Sequence, residues 1–119
     1  MPYVDGFVIA VPKNRLDDYK KMSRECGVVW KEYGALEFRE TVGDDVPPGK
    51  LTSFPQSVML KEDEVVVFSW IVYESRARRD EINDKVMHDA RIAGYMDPAN
   101  MPFDGKRMIY GGFEMVIDL

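Results

Sequence analysis

β-Branched and aromatic residues dominate the nine residues from Tyr3 to Val11, and Pro12 ends the run. That composition predicts a strand. Tyr3, Asp5, Phe7, Ile9 and Val11 fall on one side, and Val4, Gly6, Val8 and Ala10 on the other. Both sides are largely apolar, which predicts burial on both faces. Next, Leu16, Tyr19, Met22, Cys26, Trp30 and Tyr33 recur mostly three or four apart, the period of an amphipathic helix. Asn14 is the expected N-cap, Asp17 and Asp18 suit the first turn, and Gly34 is the expected stop. Gly27 sits inside this helix, where a close approach to a sheet would justify it.

Leu36 to Val42 reads as a second strand, with Leu36, Phe38, Glu40 and Val42 on one side. Residues 43–50, rich in Gly, Pro and Asp, form an exposed loop. The stretch 51–60 is ambiguous, and Ser57 to Leu60 is read as an extension of a sheet edge. Val65 to Tyr73 is the strongest strand pattern in the chain and predicts a central position. Ser75 should cap a second long helix over about 76–89, with a thin stripe of Ile82, Val86 and Ala90. Residues 90–105 read as loop with a short helical turn. Met108 to Ile117 is the final strand, and Gly111-Gly112 marks a bulge or a close backbone contact.

The order β-α-β-β-α-β is the split β-α-β, or ferredoxin-like, α+β plan: a four-stranded antiparallel sheet with both helices on one face. The other face would carry half of the apolar strand residues. A monomer rarely leaves that much apolar area in water, so the pattern predicts a symmetric homodimer packed through the bare face.

The chain has 119 residues and is expected to form one domain, residues 1–119. With a net charge of −5, it is not expected to bind nucleic acid or an anionic membrane. The only basic cluster, Arg76, Arg78 and Arg79, is followed by Asp80 and Glu81 and reads as a solvated helix face. The single cysteine, Cys26, rules out an intramolecular disulfide and a Cys-rich zinc site. The longest apolar-dominated run has nine residues, too short for a spanning helix. The start lacks the signature of a signal peptide, and a bacterial cytoplasm is the expected location.

Several segments carry a family resemblance. They are Asp44-Asp45-Val46-Pro47 with Gly49-Lys50, Thr52-Ser53-Phe54-Pro55, Val66 to Ile71, and above all Met101-Pro102-Phe103-Asp104-Gly105-Lys106-Arg107-Met108-Ile109-Tyr110-Gly111-Gly112-Phe113. Together with Tyr3-Val4-Asp5-Gly6-Phe7, they resemble the YbaA-like family of small bacterial proteins of unknown function over nearly the full length. The chain departs from the family's usual pattern at Tyr73-Glu74-Ser75 and at Asp89-Ala90-Arg91. The resemblance implies a dimeric α+β barrel fold and carries over no catalytic residue.

Candidate chemistry rests on few residues. Asp5 lies among apolar strand neighbours, where a carboxylate needs hydrogen bonds, a cation or a raised pKa. It is the candidate acid/base group; the alternative is a partly exposed acid paired with Arg or Lys. Glu40 carries the same ambiguity. His88, the only histidine, is a second catalytic candidate with Asp84 one turn away, against a surface histidine at a helix C-terminus. Trp70 and Tyr110 are candidate walls of a ligand pocket, against core or dimer interface. Arg107 is a candidate anion anchor, against a salt bridge to Asp104 or Glu114. Cys26 on the helix stripe reads as an inert thiol. Nothing in the sequence calls for a metal or an organic cofactor.

The functional expectation is a homodimer that binds or turns over a small molecule beside the sheet. By superfamily analogy, this would be a cofactor-independent oxygenase or isomerase. The alternative is a non-enzymatic interaction module with an exposed surface around 43–56 and 94–105.

Overall fold

The computed structural model describes residues 1–119. Its long elements are β1 (Tyr3–Pro12), α1 (Leu16–Tyr33), β2 (Glu37–Val42), β3 (Glu64–Tyr73), α3 (Arg76–Met87) and β4 (Ile109–Glu114). Two single turns of helix, α2 (Phe54–Ser57) and α4 (Ala90–Ala93), lie in the connections. The sheet order is β2-β3-β1-β4, with antiparallel neighbours throughout. That is the ferredoxin-like topology.

The two most apolar strands, β1 and β3, occupy the centre. Their ladder runs from Tyr3 opposite Tyr73 to Pro12 opposite Glu64. Strand alternation then sorts the side chains. Asp5, Phe7, Ile9 and Val11 share the helix-covered face with Val67, Ser69, Ile71 and Tyr73. On this face Ile9, Val11, Tyr19 and Val67 form one buried cluster, and Val29, Ala35, Ile71, Tyr73, Ile82, Val86 and Ile92 form another. Full burial of each such aliphatic side chain contributes about 1.5–3 kcal/mol.

The ends of α1 differ in how well the sequence signals them. Gly34 ends it in the left-handed region (φ 118°), as expected. Its start lies one residue later than the Asn14 cap implies. Residues Lys13–Arg15 form a 3-10 turn, and Arg15 occupies the cap position without a side-chain bond. The amide of Lys13 instead donates to the Asp63 carbonyl across the sheet end, so tertiary contact overrides the local capping signal. Gly27 has the predicted cause: a β-carbon there would stand 2.7 Å from the Phe38 ring. Ser75 caps α3, accepting from the Arg78 amide.

Three expectations are corrected. Ser57–Leu60 does not extend the sheet; Ser53 caps a helical turn over Phe54–Ser57, with Pro55 in its first turn. Gly111-Gly112 makes no bulge, since Gly111 and Gly112 pair in register with Gly6 and Asp5. The close contact is real: a β-carbon on Gly112 would press on the Tyr3 hydroxyl and stand 2.6 Å from the Arg79 guanidinium. The second sheet face is also not wholly bare. Val58 is buried against Val8, Ala10 and Val66, with Val46 and Leu60 packed around it. The 43–60 connection therefore covers one end of that face. At the other end Phe68, Ile109 and Phe113 stay exposed, Phe113 by 61%.

Candidate functional site

A cavity of about 490 Å³ lies between the helix layer and the sheet. β1 contributes Asp5, Phe7 and Ile9; α1 contributes Tyr19, Met22, Cys26 and Trp30; α3 contributes Arg79, Asn83 and Met87. The 95–108 segment closes it with Tyr95, Met96, Met101, Phe103 and Met108. Five of the chain's eight methionines thus border one space. Their unbranched, polarizable side chains make an adaptable wall.

The polar end of the cavity is built around Asp5, which is 9% exposed. Burial raises its carboxyl above the ordinary value, while the Arg79 guanidinium, Asn83 and Tyr73 pull it back. Arg79 Nε stands 3.5 Å from Asp5 Oδ1, too long for a good hydrogen bond. That Nε is buried and has no hydrogen-bond partner. The rest of the guanidinium is held: Nη2 donates to the Tyr3 hydroxyl at 3.1 Å, and the group lies 4.9 Å from the Tyr3 ring centroid. Gly112 leaves room for this pair. Asn83 Oδ1 accepts from Trp30 Nε1 and from the Tyr73 hydroxyl, each at 3.1 Å. One amide thereby ties α1, α3 and β3 together beside the acid. Burial, and then the nearby Asp5 charge, push the Tyr73 phenol well above its ordinary value.

Glu40, exposed at its edge, forms a second polar point on the same face. Its carboxylate accepts from the Tyr19 and Ser23 hydroxyls, both at 2.8 Å. Burial raises its pKa against the pull of Ser23, Tyr19 and Ser69. Cys26 is pushed up to about 11 by burial, with Glu25 and Glu40 adding to the effect, so it stays a thiol at neutral pH.

The sequence-predicted residues do not all meet. Asp5 is in the cavity, and its two alternative readings merge: it is both buried and paired with a cation. Tyr110 stacks on Phe7 at 6.3 Å between centroids and stands at the rim, 73% exposed. Trp70 borders the space, but by strand alternation its ring joins the row Phe54-Phe68-Trp70 on the other face. Arg107 lies elsewhere. It makes a two-pronged bond to Glu64 at 2.8 and 2.6 Å and also bonds Asp104 and the carbonyls of Val58 and Met59. Asp104 was the anticipated partner; Glu64 was not, and Glu114 takes no part. With its donors so engaged, Arg107 is a clamp within the chain rather than an anion anchor. His88 follows α3 on the surface with its side chain 78% exposed; Nδ1 lies 2.7 Å from the Asp84 carbonyl and 3.6 Å from its carboxylate. Both candidates sit outside the cavity lining.

Sequence reasoning missed Arg79, Asn83 and Tyr73. Arg79 was absorbed into a charged run, and only the packing of α3 over β1 turns it inward. No group of three or more His, Cys, Asp or Glu side chains is placed to hold a metal ion, and no helix is long and apolar enough to cross a membrane.

Comparison with known proteins agrees with this architecture. The chain is similar to a crystal structure of a dimeric ferredoxin-like protein from an uncultured marine organism, with a TM-score of 0.62, 13% identity and full coverage of both chains. It also resembles an uncharacterized NIPSNAP domain protein from Burkholderia xenovorans, with a TM-score of 0.59 and 12% identity over 96% of this chain and 94% of that one. At such identities the likeness concerns the fold. In sequence, the chain is 51% identical to the Escherichia coli K12 protein described as "Uncharacterized protein YbaA", and equally to its Shigella flexneri counterpart, over 99% of each chain. The profile of the family described as "Protein of unknown function (DUF1428)" matches residues 2–105. That match spans both central strands, both long helices and every cavity-lining segment up to Phe103, and with it the chain belongs to the DUF1428 family.

Proposed function

We propose that this protein binds a small, mainly apolar molecule in the cavity between its helices and its sheet, with Asp5 as an acid/base group at the polar end. The carrying observation is a buried carboxylate on the lining of an apolar space, with Asn83, Tyr73 and a loosely placed Arg79 beside it. Arg79 Nε stands 3.5 Å from Asp5 Oδ1, beyond good hydrogen-bond length. The arrangement suits proton transfer, as in an isomerase or a cofactor-independent oxygenase. Asp5 accepts a proton from the bound molecule, and Arg79 neutralises the charge left behind. The fold itself supplies only an analogy for that chemistry. Tyr110 at the rim and Phe7 beneath it form the aromatic wall, and Trp70, with its ring on the other face of the sheet, has no part in it. Arg107 and His88 have no role in this reading. Native mass spectrometry of the purified protein tests it. A co-purified metabolite retained by the native chain and lost in a Trp30→Ala, Phe103→Ala variant is expected; no bound species and no displacement of a fluorescent apolar probe would refute it.

The same reading takes the protein as a cytoplasmic homodimer joined through Phe68, Ile109 and Phe113. Their exposure supports it, as does the description of one fold neighbour as dimeric. Sedimentation at micromolar concentration should give twice the chain mass, and Phe113→Glu should give a single copy. A second reading, an interaction module, draws on Leu51, Phe54 and Met59, all exposed on the 43–60 connection. Binding of a defined protein partner that Leu51→Glu abolishes would favour it.

A further inference from the structure

The orphaned Arg79 Nε says more about the ligand, and this step rests on the cavity reading above. Asp5 offers acceptor oxygens, and Arg79 Nε offers one unused donor 3.5 Å away. Both belong to the cavity lining. A group that satisfies the two together must donate one hydrogen bond and accept another through a single small atom. A hydroxyl does this. A carboxylate only accepts and would face Asp5 with like charge; an ammonium only donates and would face Arg79 with like charge. An ether accepts from Arg79 and leaves Asp5 unmatched. A hydroxyl oxygen about 2.8 Å from each group closes a triangle on the 3.5 Å edge.

The walls narrow the class further. The same lining holds Phe7, Trp30, Phe38 and Phe103 together with five methionines, which favour flat aromatic surfaces through ring packing and sulfur–aromatic contact. The geometry points to a hydroxylated aromatic molecule, a phenol of one to three rings, as the ligand class of this cavity, its O–H donating to Asp5 and its oxygen accepting from Arg79 Nε. The same pair matches the chemistry proposed for the site. Moving the phenolic proton to a carboxylate oxygen of Asp5 leaves an aryloxide beside the guanidinium, with atoms and charge balanced.

Calorimetric titration of the purified full chain with 2-naphthol, naphthalene, 2-methoxynaphthalene and 2-naphthoate tests this. 2-Naphthol should bind at least tenfold more tightly than each of the other three. Asp5→Leu should keep the naphthalene affinity, which shows an intact cavity, and lose the preference for the hydroxyl. Arg79→Met serves as the second variant should Asp5→Leu fail to fold, with the same loss expected. Equal binding of 2-naphthol and 2-methoxynaphthalene, or tighter binding of 2-naphthoate, would overturn the phenol inference and leave the cavity reading standing. Failure of all four probes to bind would remove both.

Discussion

Arg107→Met probes the clamp that holds the cavity-closing segment. The Arg107 and Glu64 side chains are 10% and 4% exposed, so solvent replaces little of what is lost. Arg107 makes two bonds to Glu64, at 2.8 and 2.6 Å, two to the carbonyls of Val58 and Met59, and one to Asp104 at 3.2 Å. Removing one partner of a buried, hydrogen-bonded pair costs about 3–5 kcal/mol, because the other charge stays buried alone. For a chain of this size, where 1 kcal/mol moves the midpoint by roughly 3–6 °C, the melting temperature should fall by at least ~10 °C. The arginine's bonds hold Glu64 below its ordinary value of 4.5, with the Lys61 amide assisting against burial. The native pair therefore stabilises fully above about pH 4.5, and this contribution is lost as pH falls through the lower folded value. The gap between native and variant should narrow over that acid range. Glu64→Leu combined with Arg107→Met should recover most of the loss, since an apolar pair leaves no stranded charge. Differential scanning calorimetry of the three proteins reads this directly. A single-variant cost under about 1 kcal/mol, or a double variant as unstable as the single, would show that the pair is not the clamp described.

Other outcomes follow from the same geometry. Asp5→Asn should raise stability at neutral pH: the carboxyl's folded value lies above its unfolded one, so its ionisation costs stability as pH rises through that window. The gain should fade on acidification toward pH 4, and an unchanged melting curve at both pH values would count against a buried Asp5. Gly112→Ala should cost about 1–3 kcal/mol by forcing Tyr3 and Arg79 away from β4; denaturant titration measures it, and a neutral result would mean the pair shifts freely. Gly34→Ala should lose about 1 kcal/mol or more, since its φ of 118° disfavours a β-carbon that would also stand 2.6 Å from Arg78. His88→Ala should leave both melting temperature and probe binding within error, because the side chain is exposed; a loss of probe binding would bring it into the site.

The element order was legible because hydrophobic period is a local property. Alternation in Tyr3–Val11, three-to-four spacing in Leu16–Tyr33 and the apolar run Val65–Tyr73 each state their conformation without reference to the rest of the chain, and β-α-β-β-α-β then leaves few topologies. Gly34 and Ser75 were readable for the same reason: left-handed backbone and N-capping are settled within a few residues. Asn14 was misleading because an amide–carbonyl bond to Asp63 reshaped that helix start. The 51–60 segment was ambiguous because its burial comes from Val8, Ala10 and Val66 on strands far away in sequence.

The site was legible only in part. Asp5 stood out as an acid in an apolar strand, a signal carried by its neighbours. Arg79, Asn83 and Tyr73 carried no such signal, because a charged run and a polar helix face look solvated until α3 is laid across β1. Arg107 reads in sequence as an anion anchor or a partner of Asp104 or Glu114, yet Glu64, which it holds with two bonds, lies 43 residues away. Local pattern decides what each segment becomes; which charges are buried, and whom they face, is decided when distant segments exclude water from each other.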